Sequence, residues 1–404
     1  MENNIKKIEE ICKDKKIERN TGSEGANKVI YLNLGAQCNQ NCNFCLIKGS
    51  EGNFPFMPLV EAKRIIKDFA ESGGEMLMIT GGEPTLYPEL DEVIAFADLF
   101  PGIKQVSILT NATAFADGLY TEKIIGRDKS NKLGFSVSFH SHIAEVSDKI
   151  TQGMPGDYGR TVSGLANISK WNRQISVYHA IVSDNFNLLP DFVEWINVNF
   201  PNINSVVMAY PFPQGNADKN SWIYVKFTEL KPYLLKALHF LREKNISSNI
   251  ATCGQFPLCI IPEFEEKVLN MLIFFRKNVA GTVGKDVFHE TEWSSEKWIN
   301  NYKNKSPQCD QCILNEVCQG FWKKYTDIFG FDGVSPVTRK TFEGNIVKID
   351  LNTENVFDRV MARILWERLN LIIAKGDDVM ISRLKDALAD NGVPAVVIRD
   401  DEEV

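Results

Sequence analysis

Six short apolar runs recur along the first half of this chain, at Val29–Leu34, Met76–Thr80, Val106–Thr110, Phe135–His140, Ser176–Val182 and Ser205–Tyr210. Helical stripes separate them: Ala62, Ile65, Ile66 and Phe69 form one, and Leu90, Val93, Ile94 and Ala97 another. Strands that alternate with helices predict a parallel sheet covered by helices. Six units are too few for a closed eightfold barrel, so the pattern predicts an α/β fold built on an open (β/α)6 partial TIM barrel. Chemistry in such barrels sits at the C-terminal ends of the strands. The fourth strand places Phe135, Val137 and Phe139 on one face and Ser136, Ser138 and His140 on the other. A polar inner face predicts a wet or ligand-filled lumen, with His140 and His142 at its mouth as candidate acid–base groups.

Just after the first run come Cys38, Cys42 and Cys45, spaced C-x3-C-x2-C. Thiolates this close can converge on one metal centre, yet a structural zinc site takes four protein ligands. Thiolates also select iron–sulfur clusters, and a cubane has four irons wanting ligands. The loop therefore reads as a cluster with one iron left for a small ligand. A zinc site completed from elsewhere and three unrelated buried thiols stand as alternatives. The second run ends in Gly81-Gly82-Glu83-Pro84, where two glycines allow turns other residues resist and let a ligand approach closely.

Together these segments resemble the radical S-adenosylmethionine (radical SAM) enzymes. Phe44, just before the third cysteine, and Thr110-Asn111-Ala112 after the third strand belong to the same likeness, with Ala112 where the family carries glycine. The resemblance implies a [4Fe–4S] cluster on Cys38, Cys42 and Cys45 whose open iron chelates exchangeable SAM. One electron then cleaves SAM to methionine and a 5′-deoxyadenosyl radical, which abstracts a substrate hydrogen. By the same likeness Gly81, Gly82, Glu83 and Pro84 hold the methionine amine and Phe44 packs near the adenine. Thr110 and Asn111 form the turn beside them, and Ser136 and Ser138 lie near the ribose and carboxylate.

A second cysteine group follows: Cys253, Cys259 and then Cys309-x2-Cys312-x5-Cys318. Four of these suit one auxiliary [4Fe–4S] cluster, and a C-x2-C pair also suits structural zinc. The pattern resembles the SPASM/twitch auxiliary domains of peptide-modifying radical SAM enzymes, in the shorter single-cluster form. The order of Phe256-Pro257-Leu258-Cys259, Trp293 to Trp298, Cys309-Asp310-Gln311-Cys312 and Cys318-Gln319-Gly320 is similar to the His-Xaa-Ser system radical SAM maturases. That likeness implies Cys259, Cys309, Cys312 and Cys318 as ligands. Cys253 is left as a swapped ligand, a hydrogen-atom donor or a buried thiol.

The expected division is an N-terminal helix and linker over 1–27, the barrel over 28–222, the auxiliary domain over 223–345 and a small α/β appendage over 346–404. In the appendage, a helical stripe at Val356–Leu365, a helix at Asp378–Ala389 and a strand at Pro394–Ile398 are expected. The 404 residues hold no run apolar enough to span a bilayer and no signal-like start. A net charge of −7 argues against a general nucleic-acid binder. Grouped cysteines fit a reducing, cytoplasmic setting. The expected function is radical SAM modification of a peptide or protein, with an electron donor such as ferredoxin or flavodoxin. The alternatives are a radical SAM enzyme acting on a sugar or nucleotide, and a zinc-stabilised binding protein without catalysis.

Overall fold

The computed structural model describes residues 28–48, 54–251, 255–269, 279–283, 300–342, 344–352, 356–361, 363–364 and 368–400. The expected N-terminal helix, Cys12, Cys253 and the Trp293–Trp298 segment lie outside them.

The six expected strands form, as β1 (Val29–Asn33), β2 (Met76–Thr80), β3 (Gln105–Thr110), β4 (Leu133–Ser138), β5 (Ile175–Ala180) and β6 (Ser205–Ala209). They pair in sequence order and in parallel, and two further strands extend the sheet at its edges. These are β7 (Ser247–Ile250) beside β6 and β8 (Val279–Val283) beside β1. The sheet thus has eight strands, and the boundary expected at 222 falls inside it. Sequence reasoning missed β7 because Ser-Ser-Asn-Ile carries no apolar alternation, and β8 because Val-Ala-Gly-Thr-Val is short and glycine-broken.

One face of this sheet is covered by helices, and the other carries polar residues interspersed with Met78, Leu109, Tyr178 and Val207. The helix Leu59–Glu71 buries Ala62, Ile65, Ile66 and Phe69, and Leu90–Asp98 buries Val93, Ile94 and Ala97. They pack with Leu32, Ile79 and Ile108 in one continuous core. On β4 Phe135 meets Phe115, and Phe139 meets Phe192 and Trp195 of the helix Leu189–Asn199. The opposite face of four strands carries serine at a single register: Ser136, Ser176, Ser205 and Ser247 stand side by side. Ser176 Oγ and Ser205 Oγ share a hydrogen bond of 2.6 Å. The serine seen on β4 thus continues as one row across β5, β6 and β7.

Beyond the long helix Phe227–Glu243, β9 (Lys303–Asn304) pairs antiparallel with β10 (Phe321–Trp322) and frames the second cysteine group. The C-terminal residues form a parallel sheet of β11 (Asn345–Asp350), β12 (Asn370–Lys375) and β13 (Ala395–Arg399). The helices Val356–Met361 and Asp378–Asp390 accompany it around a small core of Val347, Val360, Ile372, Leu384 and Val397. The expected appendage contains β13 and both helices; β11 and β12 are additions. Among the described residues no helix is long and apolar enough to cross a membrane.

Candidate active site

The three-cysteine loop leaves β1 at its C-terminal end. Asn33 Oδ1 accepts the Gly35 N–H at 3.0 Å and starts the turn. The loop is then fastened from three sides. Asn41 and Asn43 N–H groups donate to Thr151 O and Ile150 O at 3.0 and 2.9 Å. After β6, Asn216 Nδ2 donates to Cys42 O at 2.9 Å and Asn220 Nδ2 to Asn43 O at 2.8 Å. Gly215, at φ +61°, lies so close that a Cβ would meet Cys45 O at 2.6 Å and Leu46 O at 2.5 Å. The turn Pro213-Gln214-Gly215-Asn216 is a clamp on the cysteine loop.

Gln40 N–H donates to Cys38 Sγ at 3.4 Å and Lys48 N–H to Cys45 Sγ at 3.3 Å. Burial pushes the Cys38 thiol up to about 11, with Glu83 and Cys45 adding to it. Burial, then Cys45 and Cys38, push Cys42 well above the usual thiol range. Cys38 and Cys42 thus feel their neighbours' charge, and a metal would displace the protons that burial holds on them. The Asn43 amide, buried between Cys42 and Phe44, has neither end paired among the described residues. Three neighbouring soft donors and an orphaned buried amide fit a thiolate-held cluster with a polar ligand beside it.

The glycines of Gly81-Gly82-Glu83-Pro84 are required by the cysteine loop itself. Gly82 N–H donates to Gly35 O and Glu83 N–H to Gln37 O, both at 2.7 Å. A Cβ on Gly82 would stand 2.2 Å from Gln37 O. What the turn can still offer an ammonium group is carbonyl oxygen. Glu83 is buried, and its Oε1 accepts from Thr85 Oγ at 2.7 Å, Thr85 N–H at 3.1 Å and Thr110 Oγ at 2.6 Å. Its Oε2 accepts the Asn111 N–H at 2.7 Å. Burial raises its pKa and these four donors oppose the rise. The carboxylate therefore joins β2 to β3, with Oε2 the less committed oxygen. Pro84 opens the short 3-10 turn that Glu83 caps.

Asn111 Nδ2 reaches back to Asn39 Oδ1 at 2.7 Å, and Asn39 Nδ2 donates to Thr113 Oγ at 2.9 Å. Asn39, Thr113, Asn216 and Asn220 were not singled out by sequence reasoning. Asn39 within the cysteine loop and the paired asparagines after Gly215 were the available signals. Ala112 stands at φ +60°, the left-handed conformation that favours the glycine it replaces.

Phe44 meets His140 edge-on at 4.7 Å between ring centroids. His140 Nδ1 accepts the Ala180 N–H at 3.1 Å, so the ring proton sits on Nε2. Burial, then nearby His179, hold His140 down to about 3. Burial thus favours the neutral ring, which the Ala180 N–H and the Phe44 edge contact hold in place. His142 packs against Phe192 and Trp195 of the flanking helix. Ser136 and Ser138 lie on the polar face below His140.

Cys259, Cys309, Cys312 and Cys318 line one cavity together with Pro257 and Lys305. Burial pushes Cys259 up to about 12, with Cys318, Cys312 and Cys309 adding to it. Gly320 N–H donates to Cys318 Sγ at 3.4 Å and Val337 N–H to Cys312 Sγ at 3.3 Å. Gly320, at φ +81°, lets Cys318 approach β9, since a Cβ would meet Asn304 O at 2.4 Å. Four sulfurs around one space suit soft-metal ligation. In neither cysteine group, among the described residues, do three side chains close on a single ion-sized point.

Residues 32–154 match the radical SAM superfamily. Among curated proteins, GTP 3′,8-cyclase of Aquifex aeolicus is 35% identical over 127 residues, which are 30% of this chain and 38% of that protein. The Vibrio vulnificus enzyme of the same name is 32% identical over 178 residues, 42% of this chain and 51% of that protein. The chain thus spans about half or less of the curated relatives it matches. Among solved structures, Streptococcus suis SuiB bound to S-adenosylmethionine superposes with a TM-score of 0.52 at 14% identity, covering 78% of this chain and 77% of that one. Native anSMEcpe with bound AdoMet gives 0.52 at 13%, covering 77% and 92%. The shared fold reaches past the barrel, since residues 28–250 are too few to supply such coverage. Residues 32–154 thus carry a radical SAM domain, by the family model they match.

Proposed function

We propose that this protein is a radical SAM enzyme that modifies a peptide or protein side chain. Cys38, Cys42 and Cys45 would hold a [4Fe–4S] cluster and leave one iron to SAM. When bound, that pair supplies the chemistry: one-electron cleavage of SAM to methionine and a 5′-deoxyadenosyl radical that takes a hydrogen atom from the substrate. The protein's part is placement. The carbonyls of Gly81 and Gly82 with Glu83 would receive the methionine amine, Phe44 would bear on the adenine, and Ser136 and Ser138 would lie near the ribose and carboxylate. Cys259, Cys309, Cys312 and Cys318 would hold an auxiliary cluster, and the order of cysteine and tryptophan motifs suggests a His-Xaa-Ser-type maturase. Cys253 is kept as a candidate hydrogen donor or ligand on sequence grounds. The proposed domain limits are those expected from the sequence, with the barrel sheet extended through β7 and β8.

The peptide reading is supported above all by the four-thiol site outside the barrel. Similarity to the GTP cyclases is concentrated in 127–178 residues. Likeness to SuiB, solved with its precursor peptide SuiA, covers 75% of the chain at a TM-score of 0.51. A small-molecule substrate is the second reading, favoured by the cyclases' higher identity. Anaerobic reconstitution of the parent and Cys42→Ala tests the proposal. The parent is expected to carry about eight irons and the variant about four, and only the parent should cleave SAM under dithionite. Equal cleavage by both, or zinc without iron, rejects it. Mass shifts on neighbour-encoded peptides, compared with turnover of GTP, decide between the two substrate classes.

A further inference from the structure

Among the described residues, Lys303 is a buried lysine with no acid beside it. Its side chain is buried on β9, and Nζ lies 3.3 Å from the centroid of the Trp322 ring. Among the described residues Nζ has no hydrogen-bond partner and takes part in no ion pair. Trp322 holds it from the paired strand, where Lys303 and Trp322 are direct register partners. An ammonium buried in this way costs several kcal/mol unless something negative stands near. A tryptophan face returns only about 2 kcal/mol of that.

The negative partner in reach is the auxiliary cysteine group. Cys318 lies four residues before Trp322, and the Cys318–Gly320 turn is pressed onto Asn304 O. Burial drives the Lys303 pKa well below the lysine range, and the charge opposing that is Cys318. Lys305, two residues on, lines the same thiol cavity and ties its Nζ to Asn315 O. Lys305 thus lines the four-thiol cavity just past β9, while Lys303 on β9 faces Trp322. A cubane on four thiolates carries net negative charge, which grows when it accepts an electron. Local charge and burial are the levers that set such a cluster's potential.

We propose that Lys303 is the buried counter-charge of an auxiliary iron–sulfur cluster on Cys259, Cys309, Cys312 and Cys318, and raises its reduction potential. This rests on the auxiliary-cluster reading above. The test uses full-length protein in a Cys38→Ala/Cys42→Ala/Cys45→Ala background, reconstituted anaerobically so that the auxiliary cluster alone remains. Potentiometric titration followed by electron paramagnetic resonance is run on this parent, on Lys303→Met and on Lys303→Gln. Both variants are expected to keep about four irons per chain and to show a midpoint shifted to more negative potential. Without iron, Lys303→Met should unfold at higher urea than the iron-free parent, because it removes an uncompensated buried amine. Lys303→Gln carries the electrochemical comparison if Lys303→Met does not fold. Unchanged midpoints with iron retained overturn the role of Lys303 and leave the cluster standing. A parent that takes up no iron overturns both.

Discussion

Acidification from pH 7 to pH 5 should weaken this barrel through two histidines it buries neutral. His140 and His179 are both held down to about 3, against an ordinary 6.5, chiefly by burial. His179 donates from Nδ1 to Phe139 O and lies 4.3 Å from the Phe192 ring. The folded chain therefore refuses a proton that the unfolded chain accepts below pH 6.5. Stability is present above that value and is lost as pH falls toward 3. At 1.36 kcal/mol per pH unit, the step to pH 5 costs ~2 kcal/mol for each ring and ~4 kcal/mol for the pair. Glu83 pulls the other way, since its folded pKa is raised by burial and acid favours its folded form. The comparison must therefore be differential. His140→Asn keeps an acceptor for the Ala180 N–H and removes one titration. Urea unfolding of the iron-free chain at pH 7, 6 and 5 should show a pH slope smaller by ~2 kcal/mol in the variant. Equal slopes, or a His140 ring proton that titrates near 6.5 by NMR, would refute the reasoning.

Other sites make sharper local tests. Glu83→Gln replaces an acceptor of four donors by a group with one acceptor oxygen, so it should cost about 1–3 kcal/mol in urea unfolding and weaken SAM binding in equilibrium dialysis; an unchanged urea midpoint rejects the strut. Ala112→Gly relieves a left-handed alanine and should gain up to about 1 kcal/mol, while Gly164→Ala, whose Cβ would stand 2.0 Å from Ala112 O, should lose about 1–3 kcal/mol; thermal melts that order the two the other way reject this geometry. Gly215→Ala drives a methyl into Cys45 O and Leu46 O and should lower iron retention at the three-cysteine site, read by iron analysis after gel filtration, with the far-UV circular dichroism spectrum unchanged.

The strands that sequence reasoning found are those whose apolar residues alternate beneath helices, as Phe135, Val137 and Phe139 do. Periodicity reports burial on one face, and β1 to β6 bury one face fully. The edge strands β7 and β8 escaped because an edge position asks little of the side chains. In the appendage β11 was missed for a related reason: Asn345-Ile346-Val347-Lys348 leaves Ile346 and Lys348 exposed. The cysteines were legible because thiols at fixed spacing have few other uses. The surroundings of His140 were not, since its burial and its bond from Ala180 come from chain segments forty residues apart. Lys303 was silent for the same reason. Charge on a lysine is visible in sequence, and the lack of an acid around it is a property of the fold.

The motif residues and the loop-fastening residues divide the work at the site. Gln37 O, Cys42 O, Asn43 O and Cys45 O each accept a hydrogen bond from another part of the chain, delivered by Glu83, Asn216, Asn220 and again Asn216. The loop's carbonyls are thereby spent on the protein, and its sulfurs are left as the donors a metal can use. Isolated zinc fingers are ordered by the metal itself. Here three strand ends, those of β2, β3 and β6, shape the loop through hydrogen bonds before any metal enters. That explains why glycine stands at both Gly82 and Gly215: each is where a foreign backbone must touch the cysteine loop, 2.2 Å and 2.6 Å from where a Cβ would be. A cluster that must keep one corner open cannot rely on full ligation to order its loop, so the order has to come from the barrel.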